Sequence, residues 1–171
     1  MKILLLDGNS LTYRAFFALP TDLVTASGQV TNAVFGFTSM FINLVRDHQP
    51  DAIAVAFDRP EKTFRHDRDP EYKANRIAAP DILRQQLPLV RQVVDTLGVT
   101  AIEKVGVEAD DIIATFATLA AARGDDVLIV TATNHFEPLP PQRGELLLTH
   151  RPRSAAGAAE FPGLRHAVRR F

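Results

Sequence analysis

Ile3-Leu4-Leu5-Leu6-Asp7 sets the fold: four consecutive apolar residues close on a single acid. An apolar run without alternation reads as a strand buried on both faces, as parallel sheets require. The pattern returns in Ile53-Ala54-Val55-Ala56-Phe57-Asp58, and a third acidic group stands in Glu108-Ala109-Asp110-Asp111. In an open α/β sheet, ligands sit outside the carboxyl ends of the strands. Strand carboxyl ends and helix amino ends share that edge. Asp7, Asp58, Glu108, Asp110 and Asp111 are therefore expected on one rim. Carboxylates so placed repel one another unless a cation lies between them, and hard ions such as Mg²⁺ take oxygen ligands. The pattern points to a metal-dependent site and to phosphate chemistry.

Each acid also has a plainer reading. Asp and Glu at a helix start are favoured by the dipole and as caps, and a lone Asp after a strand serves a turn. Taken singly, each acid is better explained that way. Five on one rim are not, and the conjunction favours a metal site.

The remaining pattern fits a doubly wound parallel α/β sheet. Strands are expected at Ile3–Leu6, Ala52–Phe57, Val99–Ile102 and Val127–Thr131. Helical spacing runs from Val30 to Asp47, from Pro80 to Leu97 and from Glu108 to Arg123. Thr31 or Asn32 suits the cap of the first, and Pro88 implies a kink or break in the second. Tyr13, Arg14, Phe16 and Phe17 follow the first strand, with both Phe expected in the core and Arg14 at the crevice. Asn9 and Ser10 are placed to cap the helix there.

Between Asp58 and Pro80 the periodicity stops. Arg59, Lys62, Arg65, His66, Arg68, Lys73 and Arg76 crowd a polar segment punctuated by Phe64 and Tyr72. Such a run is either a solvated face or, beside the acids, a flap for phosphates and bases. In the second reading Arg65 and Arg76 take phosphate oxygens, Lys73 acts as a point charge and Tyr72 stacks on an unpaired base. Thr31 and Asn32, near Gly28 and Gly36, are either turn and cap positions or a close approach for a nucleic-acid backbone at a helix amino end.

The chain has 171 residues, enough for one domain with its own core. It has no cysteine, which excludes disulfides and thiolate metal sites. The amino-terminal apolar run is too short for a signal peptide or membrane helix, so a cytoplasmic protein without a membrane partner is expected. The formal net charge of −1 is uneven: six Arg against two Glu give residues 138–171 a charge of +4, leaving −5 for residues 1–137. Phosphate contacts must then come from a local basic patch. The five His show no zinc-ligand spacing. No Gly-rich phosphate loop, Ser/His/Asp arrangement or internal repeat is present.

Leu4-Leu5-Leu6-Asp7-Gly8-Asn9-Ser10 with Arg14-Ala15-Phe16-Phe17-Ala18 resembles the opening of the 5′ nuclease (5′-3′ exonuclease) domain of the bacterial DNA polymerase I family. Thr31-Asn32-Ala33-Val34-Phe35-Gly36-Phe37, Ala56-Phe57-Asp58, Thr63-Phe64-Arg65-His66, Glu71-Tyr72-Lys73-Ala74-Asn75-Arg76 and Val107-Glu108-Ala109-Asp110-Asp111 continue it, over about residues 1–131. Together these motifs are specific; any one alone is weak. The resemblance implies a PIN-like α/β fold related to the flap endonucleases. It implies hydrolysis of DNA phosphodiesters at 5′ flaps, nicks and 5′ ends with two divalent ions, Mg²⁺ or Mn²⁺, leaving a 5′ phosphate. By position, Asp7, Asp58, Glu108, Asp110 and Asp111 would be metal ligands. Lys73 and Arg65 would stabilise charge on the scissile phosphate, and Tyr72 would stack on the displaced nucleotide. Arg14, Thr31, Asn32 and Arg76 would contact the nucleic acid, and the protein would act as a monomer.

The family continues its fourth strand into Thr-Gly-Asp-Arg-Asp, where two acids help to hold the second metal. Here the chain reads Thr131-Ala132-Thr133-Asn134-His135, with Thr133 and His135 at those positions. The family's downstream duplex-gripping motif is not visible. Residues 1–137 are expected to form an incomplete PIN-like domain and residues 138–171 a Pro/Arg-rich, poorly ordered tail, with Glu145–Thr149 able to form a short strand. A truncated gene product with impaired activity is the simplest expectation. Two alternatives stand: a non-catalytic nucleic-acid-binding remnant, and a small PIN-type ribonuclease, against which the long Tyr/Lys/Arg segment argues.

Overall fold

The structure is a computed structural model that describes residues 1–75 and 78–131, and residues 147–149 as backbone. Its elements run β1 (Lys2–Asp7), α1 (Gly8–Ala18), α2 (Asn32–His48), β2 (Ala52–Ala56), α3 (Phe64–Arg68), α4 (Asp81–Thr96), β3 (Thr100–Ile102), α5 (Ala109–Ala122), β4 (Asp126–Val130) and β5 (Leu147–Thr149). The sheet order is β3-β2-β1-β4-β5. β1 pairs in parallel with β2 and β4, and β2 pairs in parallel with β3. β5 adds antiparallel to β4.

The apolar runs form central strands because both of their faces are covered. Leu4, Leu6, Val55, Phe57, Leu128 and Val130 pack with Leu11, Phe37, Phe41, Val90 and Val94 of α1, α2 and α4. Leu5, Ala54 and Ala56 face the other way, onto Ala109, Ile112, Ile113 and Ala117 of α5. The small side chains in that second layer let α5 lie close to the sheet. Each fully buried Leu contributes about 1.5–3 kcal/mol to this packing. Gly124, at φ 81°, turns the chain out of α5 in the left-handed region that other residues avoid.

The connections decide where a site lies. From β1 the chain crosses to β2 and then β3 on one side; from β3 it returns past both to β4 on the other side of β1. The switch point lies between β1 and β4, at the carboxyl end of β1, which is Asp7.

Three expectations are corrected. Of the kink or break expected at Pro88, the break is absent: α4 runs uninterrupted from Asp81 to Thr96. Pro88 is exposed, on the side of α4 away from its buried residues Leu83, Gln86, Val90 and Val94. Phe17 is not in the core: it is 61% exposed and meets Phe16 edge-on, while only Phe16 is buried. The segment after Asp58 is not structureless, since α3 forms a short helix within it. The positions of Thr133, His135 and nearly all of the tail lie outside the described residues; Leu147–Thr149 form the strand expected over Glu145–Thr149.

Candidate active site

The sequence's acids do converge. Asp7 ends β1 and caps α1, accepting from the Ser10 amide at 2.9 Å and the Ser10 hydroxyl at 2.7 Å. Thr131, just past β4, also donates to it at 3.2 Å. Asp58, two residues past β2, accepts from the Ala109 amide at 2.7 Å, at the start of α5. Glu108 is the residue before α5, and Asp111 in its first turn accepts from the Glu108 amide at 3.3 Å. The plain roles of cap and turn are thus realised by the same residues that line the rim.

Asp110 differs from the others. Among the described residues its carboxylate has no hydrogen-bond partner. The protein around it, and then repulsion from Asp7, Asp58 and Glu108, raise its pKa above the ordinary value, with Lys73 opposing. That set of neighbours shows four carboxylates acting on one another across the strand ends. Asp111 behaves oppositely: hydrogen bonds from Arg65 hold it below the usual carboxylate range, against partial burial.

The basic segment lies over these acids. Arg65 in α3 grips Asp111 with Nη1 on Oδ2 and Nη2 on Oδ1, both at 2.6 Å, and Nη1 lies 3.5 Å from Glu108. Lys73 Nζ donates to Glu108 Oε1 at 2.9 Å, and the Tyr72 hydroxyl donates to Oε2 at 3.2 Å. α3 itself is fixed at its start by His66, whose Nδ1 accepts from the Thr63 amide at 3.1 Å. The His66 ring meets Tyr72 edge-on at 5.4 Å.

The all-oxygen donor set and the mutual repulsion at Asp110 fit a hard divalent cation. The side-chain positions are nevertheless those of carboxylates paired with Arg and Lys. Among the described residues no three acidic or His side chains are gathered as a ready coordination shell. Asp7, Asp58, Glu108, Asp110 and Asp111 are the residues that would hold an ion, and Glu108 and Asp111 would first have to turn from their cationic partners.

The expected nucleic-acid contacts divide. Arg14 is exposed on α1. Thr31 is half-buried, its hydroxyl donating to the Leu23 carbonyl at 3.2 Å, and its side chain does not cap α2. Asn32 is fully buried, a correction to its expected place at an interface. Its Nδ2 donates to the carbonyls of Phe16 and Leu19, each at 3.0 Å, and its Oδ1 accepts from Gln86 at 2.9 Å. Gln86 Oε1 also takes the Ala33 amide at 2.8 Å and the Val34 amide at 3.3 Å. The amino end of α2 is thus satisfied internally and offers those amides to no phosphate. Arg76 lies outside the described residues.

Sequence reasoning missed Thr131 and Gln86. The first stands at the end of an apolar run on the same rim, and the second on the buried stripe Leu83, Gln86, Val90, Val94 of α4, a polar residue where an apolar one is due.

Among the described residues no helix is long and apolar enough to cross a membrane. The family described as 5′-3′ exonuclease, N-terminal resolvase-like domain matches residues 2–139. DNA polymerase I of Mycobacterium tuberculosis is 52% identical over 130 residues, covering 75% of this chain and 14% of that protein. DNA polymerase I of Bacillus subtilis is 38% identical over 150 residues, covering 88% and 17%. The chain therefore spans about a sixth or less of these relatives. Among solved structures, a T5 5′-exonuclease with bound zinc ions superposes with a TM-score of 0.58 at 19% identity, covering 77% of this chain and 49% of that one. A bacteriophage T5 flap endonuclease in a pseudo-enzyme-product complex with DNA and metal ions gives 0.55 at 20% identity, covering 78% and 50%. At these identities the two structures show the shared fold, a parallel sheet of PIN-like type.

Proposed function

The chain belongs to the 5′-3′ exonuclease, N-terminal resolvase-like domain family, and from that premise we propose that it is a metal-dependent 5′ nuclease domain acting on DNA with 5′ flaps, nicks or free 5′ ends. One observation carries the reading. Acids from three separate stretches meet at the switch point of the sheet, with Arg65, Tyr72 and Lys73 folded over them.

Asp7, Asp58, Glu108, Asp110 and Asp111 would hold Mg²⁺ or Mn²⁺, which would supply polarisation of the phosphodiester and a lowered pKa for attacking water. Arg65 and Lys73, released from Asp111 and Glu108, neutralise phosphate charge, Arg65 in bidentate fashion. Tyr72 presents its ring to an unpaired base. Arg14 lies on the exposed face of α1 for contact with the backbone phosphates.

Thr133 and His135 stand where the resemblance expects two further acids, so a second metal is held weakly and turnover is low. The test is a labelled 5′-flap DNA incubated with the purified chain and Mg²⁺ or Mn²⁺. Slow cleavage leaving a 5′ phosphate, lost in Asp110→Ala, supports the reading. Salt-dependent binding without cleavage identifies a non-catalytic remnant instead. Preference for single-stranded RNA over flap DNA identifies a PIN-type ribonuclease.

A further inference from the structure

The acids of this site are already neutralised from within the chain. Arg65 and Lys73 reach them from a segment 35 to 46 residues distant in sequence. Among the described residues five hydrogen bonds fasten that segment: two from Arg65 to Asp111, one each from Lys73 and Tyr72 to Glu108, and one from the Phe64 amide to the Gly106 carbonyl at 3.3 Å. A fully formed Arg fork on a partly buried carboxylate is the strongest of these. A metal ion drawing on Glu108 and Asp111 would compete with these donors for the charge and orientation of the two carboxylates, and the described acids form no ready coordination shell.

The fastening also holds a strained backbone. Lys73 has φ 59°, in the left-handed region that a residue with a side chain adopts at a cost. Its Nζ nonetheless reaches Glu108 and lies 5.2 Å over the Tyr72 ring. The docked segment is therefore held by its ion pairs against this backbone cost.

We propose that the segment Thr63–Lys73 is an internal counter-cation that closes over Glu108 and Asp111 in the metal-free chain, and that divalent metal and this segment compete for the same two carboxylates. The inference rests on the metal-site reading above. By linkage, whatever favours the metal must release the segment, and whatever weakens the segment must favour the metal. Release also frees Arg65 and Lys73 for phosphate when metal arrives, so the basic groups become available only once the site is loaded.

Two measurements on the full chain test it, both independent of nuclease activity. The first is the rate of limited trypsin cleavage at Lys62, Arg65, Arg68 and Lys73 with and without Mn²⁺, using an unrelated substrate to correct for any effect of the ion on trypsin. The second is Mn²⁺ affinity by calorimetry for the wild type, Arg65→Gln, Lys73→Gln and Arg68→Gln, each first checked for folding by circular dichroism. Arg68 supplies the control: its substitution removes the same charge from α3, but its guanidinium lies over Phe64 and, among the described residues, forms no ion pair with an acid. The expected results are faster cleavage with Mn²⁺, and Mn²⁺ affinity at least about fivefold tighter in Arg65→Gln than in Arg68→Gln. Lys73→Gln, at an exposed position, tightens it in the same direction. Protection of the segment by Mn²⁺, or equal affinities in Arg65→Gln and Arg68→Gln, overturns the competition while leaving the metal site standing. No uptake in the wild type or any variant overturns the metal reading and the competition with it.

Discussion

Asp58 Oδ1 accepts the backbone amide of Ala109 at 2.7 Å. The two residues are 51 apart in sequence, yet this bond joins the segment just past β2 to the start of α5. It fixes the edge on which Glu108, Asp110 and Asp111 emerge. It also gives Asp58 two separable duties, a cap that needs an acceptor oxygen and a charge that needs a carboxylate.

Substitution separates those duties. Asp58→Asn keeps an acceptor oxygen, so its thermal midpoint should stay near that of the wild type while Mn²⁺ uptake falls. Asp58→Ala removes both and should lose about 1 kcal/mol in addition. Urea denaturation alongside calorimetry reads the two effects independently.

Gln86 ties α4 to α2 and leaves no spare polar atom around it. Gln86→Leu keeps the volume but strands the Ala33 amide and Asn32 Oδ1. A loss of about 2–4 kcal/mol is expected, seen as a lower urea midpoint at unchanged slope.

Gly8 opens α1 against Phe57. A β-carbon there would stand 2.4 Å from Phe57 Cε1, inside any permitted contact. Gly8→Ala should therefore cost about 1–3 kcal/mol despite the better helix propensity of Ala. Adding Phe57→Leu should recover part of that loss, a coupling that a double-mutant cycle reads directly.

Partial removal from water, and then repulsion from Asp7, Asp58 and Glu108, raise the pKa of Asp110, so its charge works against the metal-free fold at neutral pH. Asp110→Asn should stabilise the metal-free chain at pH 7 by about 0.5 kcal/mol or less, as fits an exposed site. The sign follows from linkage: a raised acid contributes its stability below the ordinary value of 3.8 and loses it as pH rises through the higher folded value. The advantage of Asn should shrink towards zero below pH 3.8. Asp111 runs the other way. Its depressed pKa keeps the Arg65 pair intact above 3.8 and surrenders it only as pH falls through the lower folded value. Thermal melts of both chains across this range check the two signs.

Much of this was legible in the sequence because buried parallel strands are written as unbroken apolar runs. Ile3–Leu6 and Ile53–Phe57 named the central strands, and the acid after each named the rim. The order of strands was not legible, since nothing local tells β4 to pair with β1 instead of β3. The helix α3 was hidden because five residues carry no period, and its start relies on His66 in place of the usual Glu or Gln at the third position. Asn32 misled for a different reason: an Asn before an apolar helix has the same appearance whether it caps, binds or, as here, is buried against Gln86. That Arg65 and Lys73 pair with the acids themselves is a tertiary fact, set by how the segment folds back.

The central claim is that acids from three distant stretches act as one divalent-metal site. Calorimetric titration of Mn²⁺ into the wild-type chain and into Asp7→Asn, Asp58→Asn and Asp110→Asn tests it most directly. The account predicts uptake by the wild type and its loss, or at least a tenfold weakening of about 1.4 kcal/mol, in each of the three variants. Uptake that is absent from the wild type, or unchanged in all three variants, would contradict it.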